Sequence, residues 1–144
     1  MQLTLSDSLF PGVFDIPKLS FTEDGLEMQM GVNHFGHFLL TNLLLDKLKE
    51  SAPARIIVVA SGNHFGGQIP WDNFDYKNGD YNSFVAYANT KLANVMFAYE
   101  LARRLEGTGV TVNAVHPGAV NTEITRHGNS VNPWVKQTFC KKFL

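Results

Sequence analysis

The first sustained pattern along the chain is helical. Ser20 and Glu23 stand at the spacing of a capping box, and from about Glu23 to Glu50 the apolar residues Leu26, Met30, Leu40, Leu44 and Leu48 recur at helical intervals. This predicts one long helix, ended by Pro53. Arg55-Ile56-Ile57-Val58-Val59-Ala60 then runs apolar and β-branched without alternation, which predicts a strand covered on both faces, as in a parallel sheet. The stretch from Gly62 to Asn82, rich in Gly, Asn, Asp and aromatics, reads as a loop of a length usually kept for function. A second long helix is predicted from Ser83 to Glu106, with Arg103 and Arg104 at the negative end of its dipole and Gly107 as its cap. Its alanines at 86, 88, 93, 98 and 102 leave room for a neighbouring helix. Phe35, Phe38, Phe84 and Phe97, at helical positions, are expected in the core. Val110 to Val115 is a second strand, ending at His116-Pro117-Gly118. Helix, strand, loop, helix, strand is the order of an α/β fold with a parallel sheet and helical crossovers. Ligands of such sheets gather beyond the carboxyl ends of the strands.

Composition narrows the field. With 144 residues, 44% hydrophobic and 17% charged, the chain can bury one modest core, and one domain is expected. A net charge of −1 gives no electrostatic reason to expect nucleic acid or an anionic membrane as a partner. Cys140 is the single cysteine, which rules out an intrachain disulfide and suits a reducing compartment. The five histidines, His34, His37, His64, His116 and His127, show no metal-ligand spacing and read as structural or exposed. No apolar run reaches the roughly 18 residues of a membrane span, and the first residues lack the basic start and apolar block of a signal peptide. Lys141-Lys142-Phe143-Leu144 reads as a solvated basic end.

Position singles out the residues able to do chemistry. Ser61 follows the first strand and Pro117-Gly118 the second, so all three fall on one rim of the sheet. Tyr87 and Lys91, four apart on the helix between them, share a face. Chance alone supplies roughly 0.2 such pairs in this composition, so the pair is a weak sign by itself. Its physical case is proton affinity. A tyrosine near its ordinary pKa of about 10 is a poor base at neutral pH, and an ammonium roughly 4 Å away at an effective dielectric of about 20 contributes about 4 kcal/mol, or about three pKa units before desolvation opposes it. A Ser61 hydroxyl donates and accepts, so it can hold an alcohol or a carbonyl oxygen. Asn33 lies on the apolar face of the first helix, where an amide needs partners; a helix-packing hydrogen bond is the plain explanation.

Jointly these motifs resemble a known family. Gly31-Val32-Asn33-His34-Phe35-Gly36-His37-Phe38, the strand ending in Ser61, Tyr87-Ala88-Asn89-Thr90-Lys91 and Pro117-Gly118-Ala119-Val120-Asn121-Thr122 stand in the order and spacing of the short-chain dehydrogenase/reductase family. Within it, Glu27-Met28-Gln29-Met30-Gly31-Val32-Asn33-His34, the extended segment between Ser61 and Tyr87, Glu100-Leu101-Ala102-Arg103-Arg104-Leu105 and Val115-His116-Pro117-Gly118 look like the retinol dehydrogenase-like branch. The resemblance covers roughly Gly12 to His127 and implies a partial Rossmann-like parallel sheet. It further implies that Tyr87 is the general acid/base, that Lys91 lowers its pKa and bonds the nicotinamide ribose, and that Ser61 orients the reacting oxygen of the substrate. Asn33 would hold, through its helix backbone, a water in the proton relay to Lys91. Pro117, Gly118, Val120 and Thr122 would contact the nicotinamide side of the cofactor, NADP or NAD, with NADP slightly favoured. The implied substrate is a hydrophobic alcohol or carbonyl compound, retinol- or retinal-like, and the two long helices are the implied homodimer surface.

Departures from the pattern shape a second reading. The T-G-x-x-x-G-x-G turn of the family does not occur here, and Leu9-Phe10-Pro11-Gly12 stands where the family has N-N-A-G, so only the glycine matches. The chain also ends soon after Phe139, before the final strand of the family. Residues 1–144 are therefore expected to be a single incomplete domain with its catalytic part at about 12–127. The alternative to an oxidoreductase is a catalytically inactive fragment that acts at most as an interaction module. A cytoplasmic address, or the cytosolic face of the endoplasmic reticulum, suits either reading.

Overall fold

The computed structural model describes residues 12–118 and Ile124. Strand β1 (Ala54–Val59) and strand β2 (Val110–Val115) pair in parallel, from Ala54 opposite Val110 to Val59 opposite Val115. Among the described residues they form a two-stranded sheet. The crossover between them is helix α3 (Ser83–Arg104). Ahead of β1 come a short helix α1 (Met28–Met30), a π-helical turn (Gly31–Phe35) and helix α2 (Gly36–Glu50). The fold is the expected α/β, with a Rossmann-like parallel sheet and a helical crossover.

The first helix begins later than its periodicity predicts. Asp24-Gly25 makes a turn in which Gly25 adopts φ +77°, a conformation closed to a helix interior and easy only for glycine. Thr22 N–H donates to Leu26 O at 2.8 Å, and Phe21 bridges Glu27, so Ser20 and Glu23 form no capping box. Glu27 caps the helix instead, its carboxylate accepting from the N–H groups of Gln29 at 2.9 Å and Met30 at 2.7 Å. At the other end of the crossover, α3 stops at Arg104 and Leu105 is the capping residue, so Gly107 falls in the following turn rather than at the cap. Asn82 caps the start of α3 by accepting from Phe84 N and Val85 N.

Leu101, Leu105 and Val110 form the buried cluster, with Leu45, Ala54, Ile56, Phe97 and Val112 packed against it. It covers one face of β1. Val58 is buried but Ile57 is 46% exposed and Val59 40%, so the expectation of a strand covered on both faces does not hold. One crossover helix can lie on one face only. The aromatic residues are likewise less buried than expected. Phe38 and Phe84 are exposed and Phe35 and Phe97 half-buried, with the Phe38 and Phe97 rings paired at 5.2 Å between α2 and α3. No residue of α2 is fully buried, and Leu43 is 74% exposed. Among the described residues, no helix is long and apolar enough to cross a membrane, and no cluster of His, Cys, Asp or Glu is placed to hold a metal.

Candidate active site

The amino-terminal half of α3 is buried without a break from Ala86 to Lys91, so Tyr87 and Lys91 lie inside the molecule, each 7% exposed. Phe14 packs edge-on against the Tyr87 ring at 4.7 Å and against Phe84 at 5.4 Å. Lys91 Nζ sits 5.4 Å from the centroid of the Tyr87 ring and donates to Val59 O, the last carbonyl of β1, at 3.3 Å. Two residues beyond Val59, the Ser61 hydroxyl accepts from Asn63 N at 3.2 Å and lies near enough to the Tyr87 phenol to favour its ionised form. His64 secures the Ser61 carbonyl through Nδ1 at 2.6 Å and its own N–H at 3.1 Å. Ser61, Tyr87 and Lys91 thus meet at the carboxyl end of β1, where the sequence places them.

The parallel register brings the end of β2 to the same rim. Ala60 N donates to Val115 O at 2.9 Å, and His116 lies so close to Gly62 that a Cβ there would be 3.3 Å from its Nε2. Pro117 and Gly118 follow, both exposed, with Gly118 at φ +79°. Val120 and Thr122 lie outside the described residues.

Asn33 sits in the π-helical turn and is 1% exposed. Its side chain accepts from Val13 N at 2.9 Å and donates to Val13 O at 2.8 Å and to Thr90 Oγ1 at 3.3 Å. The amide is therefore fully used in tying the segment after Gly12 to α3. Its backbone carbonyl accepts from Asn94 Nδ2 at 3.1 Å and from His37 Nδ1 at 3.1 Å, which engages both lone pairs. A relay water on that oxygen, as the resemblance implies, would have to compete with two donors already in place.

Proton affinities depart from the sequence argument. Burial pushes the Tyr87 phenol above its ordinary 10.0, and the nearby Ser61 hydroxyl offsets this only in part. Lys91 is pushed down to about 8 by burial. Desolvation, which acts on both groups, thus opposes any lowering of Tyr87 by the ammonium.

Two polar residues of this site escaped the sequence reading. Asn94 extends the Tyr87, Lys91 stripe by one more turn, a spacing of i, i+4, i+7 that was open to view in the sequence. Asn89, 1% exposed, accepts from Gln68 N at 2.6 Å and donates to the Tyr76 hydroxyl at 2.8 Å, so it ties the loop after β1 to α3. Gly67 allows this approach, since a Cβ there would stand 2.8 Å from Ala88 O.

A parallel sheet with a serine at one strand end and a buried Tyr-x-x-x-Lys helix beneath it defines a class, and comparison with known proteins agrees. The family pattern described as short chain dehydrogenase matches residues 13–132, and the chain belongs to that family. It is 60% identical over 106 residues to human retinol dehydrogenase 13, covering 74% of this chain and 32% of that one. Against human retinol dehydrogenase 14 it is 56% identical over 116 residues, or 81% and 34% of the two chains. The chain thus spans about a third of the length of these relatives. Among solved structures, a protein from Mycobacterium paratuberculosis superposes with a TM-score of 0.67 at 33% identity, covering 88% of this chain and 43% of that one. The Pseudomonas aeruginosa RhlG/NADP active-site complex does so with a TM-score of 0.60 at 26% identity, covering 89% and 47%.

Proposed function

We propose that this chain carries the proton-handling part of an alcohol/carbonyl oxidoreductase that works with a nicotinamide dinucleotide on a hydrophobic substrate. The observation that carries the reading is the meeting of Ser61, Tyr87 and Lys91 at the carboxyl end of β1, with Tyr87 and Lys91 buried. Retinol dehydrogenases as relatives support a retinol- or retinal-like substrate, and speak against the inactive interaction module. NADP is slightly favoured over NAD by the family resemblance alone, since the structural neighbours include an NADP complex and NADH complexes alike.

The residues present fit the nicotinamide-ribose half of such a cofactor. Lys91 has three N–H bonds and gives one to Val59 O, which leaves two for a ribose hydroxyl and the Tyr87 oxygen. Pro117 and Gly118 bring an open backbone to the same rim, and the resemblance assigns Val120 and Thr122 to a contact with the nicotinamide side. When bound, the dinucleotide supplies or accepts the hydride. Tyr87, protonated at neutral pH because burial holds its pKa above 10.0, is the acid that gives its proton to the nascent alkoxide oxygen during carbonyl reduction. In the reverse direction only its phenolate form takes the alcohol proton, and burial, by disfavouring that form, makes carbonyl reduction the direction the site favours at neutral pH. Ser61 holds that same oxygen, as donor to a carbonyl or acceptor from an alcohol. Asn33 keeps Val13 and α3 in place behind the site.

A homodimer through α2 and α3 belongs to the same proposal. Leu39, Leu43, Met96 and Tyr99 are exposed apolar residues on these two helices, and such patches mark contact surfaces. The functional test joins this chain to a dinucleotide-binding half of the same family. Tyr87→Phe should lower turnover by about 10²-fold or more with nearly unchanged NADPH affinity. Retention of most activity would overturn the assignment.

A further inference from the structure

The candidate site holds a buried polar side chain that donates to the end of β1 beside Lys91 and that the proposed reaction leaves unused. Asn94 is 3% exposed. Its Nδ2 donates to Asn33 O at 3.1 Å and to Val59 O at 3.1 Å, and its Oδ1 accepts from His34 Nδ1 at 2.9 Å. The orientation of the amide is dictated by these partners, because a flipped Asn94 would set its oxygen against two carbonyl oxygens. The same geometry fixes the His34 proton on Nδ1. Val59 O is also the acceptor for Lys91 Nζ, at the longer distance of 3.3 Å. Amide and ammonium therefore share one carbonyl at the end of β1.

We infer that Asn94 is a positioning residue for Lys91: by occupying the Val59 carbonyl it keeps the ammonium from being drawn wholly onto the strand end, and leaves its remaining N–H groups turned toward Tyr87 and the cofactor side. The inference rests on the proposed reading only in taking Lys91 as the functional cation. A charge-assisted hydrogen bond is shorter, about 2.7–2.9 Å, and roughly twice as strong as a neutral one. An ammonium left alone with this carbonyl would close on it, and its charged form would gain. Asn94 prevents this by taking part of the acceptor capacity and by tying β1 to the π-helical turn, so that Val59 O cannot tilt toward Lys91. Among the described residues, the titratable groups facing this arrangement are Tyr87 on α3, His34 in the π-helical turn and His37 on α2. Burial holds Tyr87 above 10.0 and both histidines below 6.5, so a titration between pH 7 and 9 belongs to Lys91.

The test reads Lys91 directly, without turnover. In the full chain with lysine side chains isotopically labelled, and the Lys91 resonance assigned by its loss in Lys91→Arg, an NMR titration should give a midpoint near 8. Asn94→Leu, of similar size without donors, should raise that midpoint by about one unit, and Asn94→Ser, with one donor, by less. In the unsubstituted chain the two Asn94 amide protons should shift with the same midpoint, and in Lys91→Met that shift should vanish. This arm does not depend on any Asn94 variant folding. An unmoved Lys91 midpoint in folded Asn94→Leu, or Asn94 amide protons indifferent to the Lys91 titration, overturns the inference. NADPH binding, followed by its fluorescence in the chain joined to a dinucleotide-binding half, separates the two claims. No binding there, with the Lys91 shift present, counts against the oxidoreductase reading and keeps Asn94; binding with an unmoved midpoint does the reverse.

Discussion

Replacing Lys91 with methionine should stabilise this chain at neutral pH while removing a group its proposed chemistry needs. Burial lowers Lys91 from 10.5 to about 8, a fall of about 2.5 units, and at about 1.36 kcal/mol per unit the charged form carries a penalty of about 3 kcal/mol. The hydrogen bond lost in Lys91→Met is the long one to Val59 O, which keeps Asn94 as its donor, so about 1 kcal/mol is returned. The expected net gain at pH 7 is about 2 kcal/mol. Its sign with pH follows from proton counting. Below pH 8 the lysine is charged in both folded and unfolded chain and the penalty is complete. From pH 8 toward 10.5 the unfolded chain binds more protons than the folded one, so stability of the unsubstituted chain rises, by about 2 kcal/mol at pH 9.5. Above pH 10 the trend reverses, because Tyr87 and Tyr76 are raised and Tyr81 is pushed up to about 12, so the unfolded tyrosines ionise first. Urea unfolding at pH 7, 8.5 and 9.5 checks this. The two proteins should converge as pH rises; a methionine variant less stable at pH 7, or an unsubstituted chain of constant stability over that range, would refute the reasoning.

Other substitutions probe separate parts of the site. Asn33→Ala leaves the buried N–H and C=O of Val13 without their partner and should cost about 2–5 kcal/mol, with Val13 amide exchange rising accordingly in hydrogen-exchange measurements. Gly67→Ala forces a methyl against Ala88 O and should cost about 1–3 kcal/mol, with faster exchange at Gln68 N–H as its loop leaves Asn89. Leu43→Lys, on the exposed face of α2, should shift sedimentation toward the monomer with little change in unfolding midpoint.

The strands and the crossover were legible because their signals are local: Ile56 to Val59 is a β-branched run and Val110-Thr111-Val112 opens the second, and the structure sets β1 one residue earlier at both ends than the pattern suggests. Where local signals conflicted, the turn prevailed. Leu26 and Met30 suggested helix from Glu23, yet Asp24-Gly25 demanded a positive φ, and the carboxylate of Glu27 offered a better cap. Ser61, Tyr87 and Lys91 were legible from position and spacing, but the electrostatics between them were not. Lys91 could not be known to face Val59 O, because that depends on a strand 32 residues away, and burial could not be weighed against charge before the neighbours were seen. The spacing of Asn94 from Tyr87 and Lys91 puts it on their stripe, but its partners on β1 and the π-helical turn, like those of Asn89 in the loop, are nonlocal and depend on the fold.

The reciprocal pairing of Asn33 with Val13 bears on the order in which the molecule assembles. A carboxamide that offers a donor and an acceptor to one residue imitates the neighbouring strand of a ladder, and it does so across only 20 residues of chain. Joining β1 to β2 closes a loop of about 56 residues, which costs about 1 kcal/mol more in closure entropy and brings its reward only after α3 has packed. The segment after Gly12 can therefore dock on the π-helical turn before the sheet exists. A folding nucleus at Asn33 would gather the rear of the site first and leave the rim, with Ser61 and Lys91, to the last step.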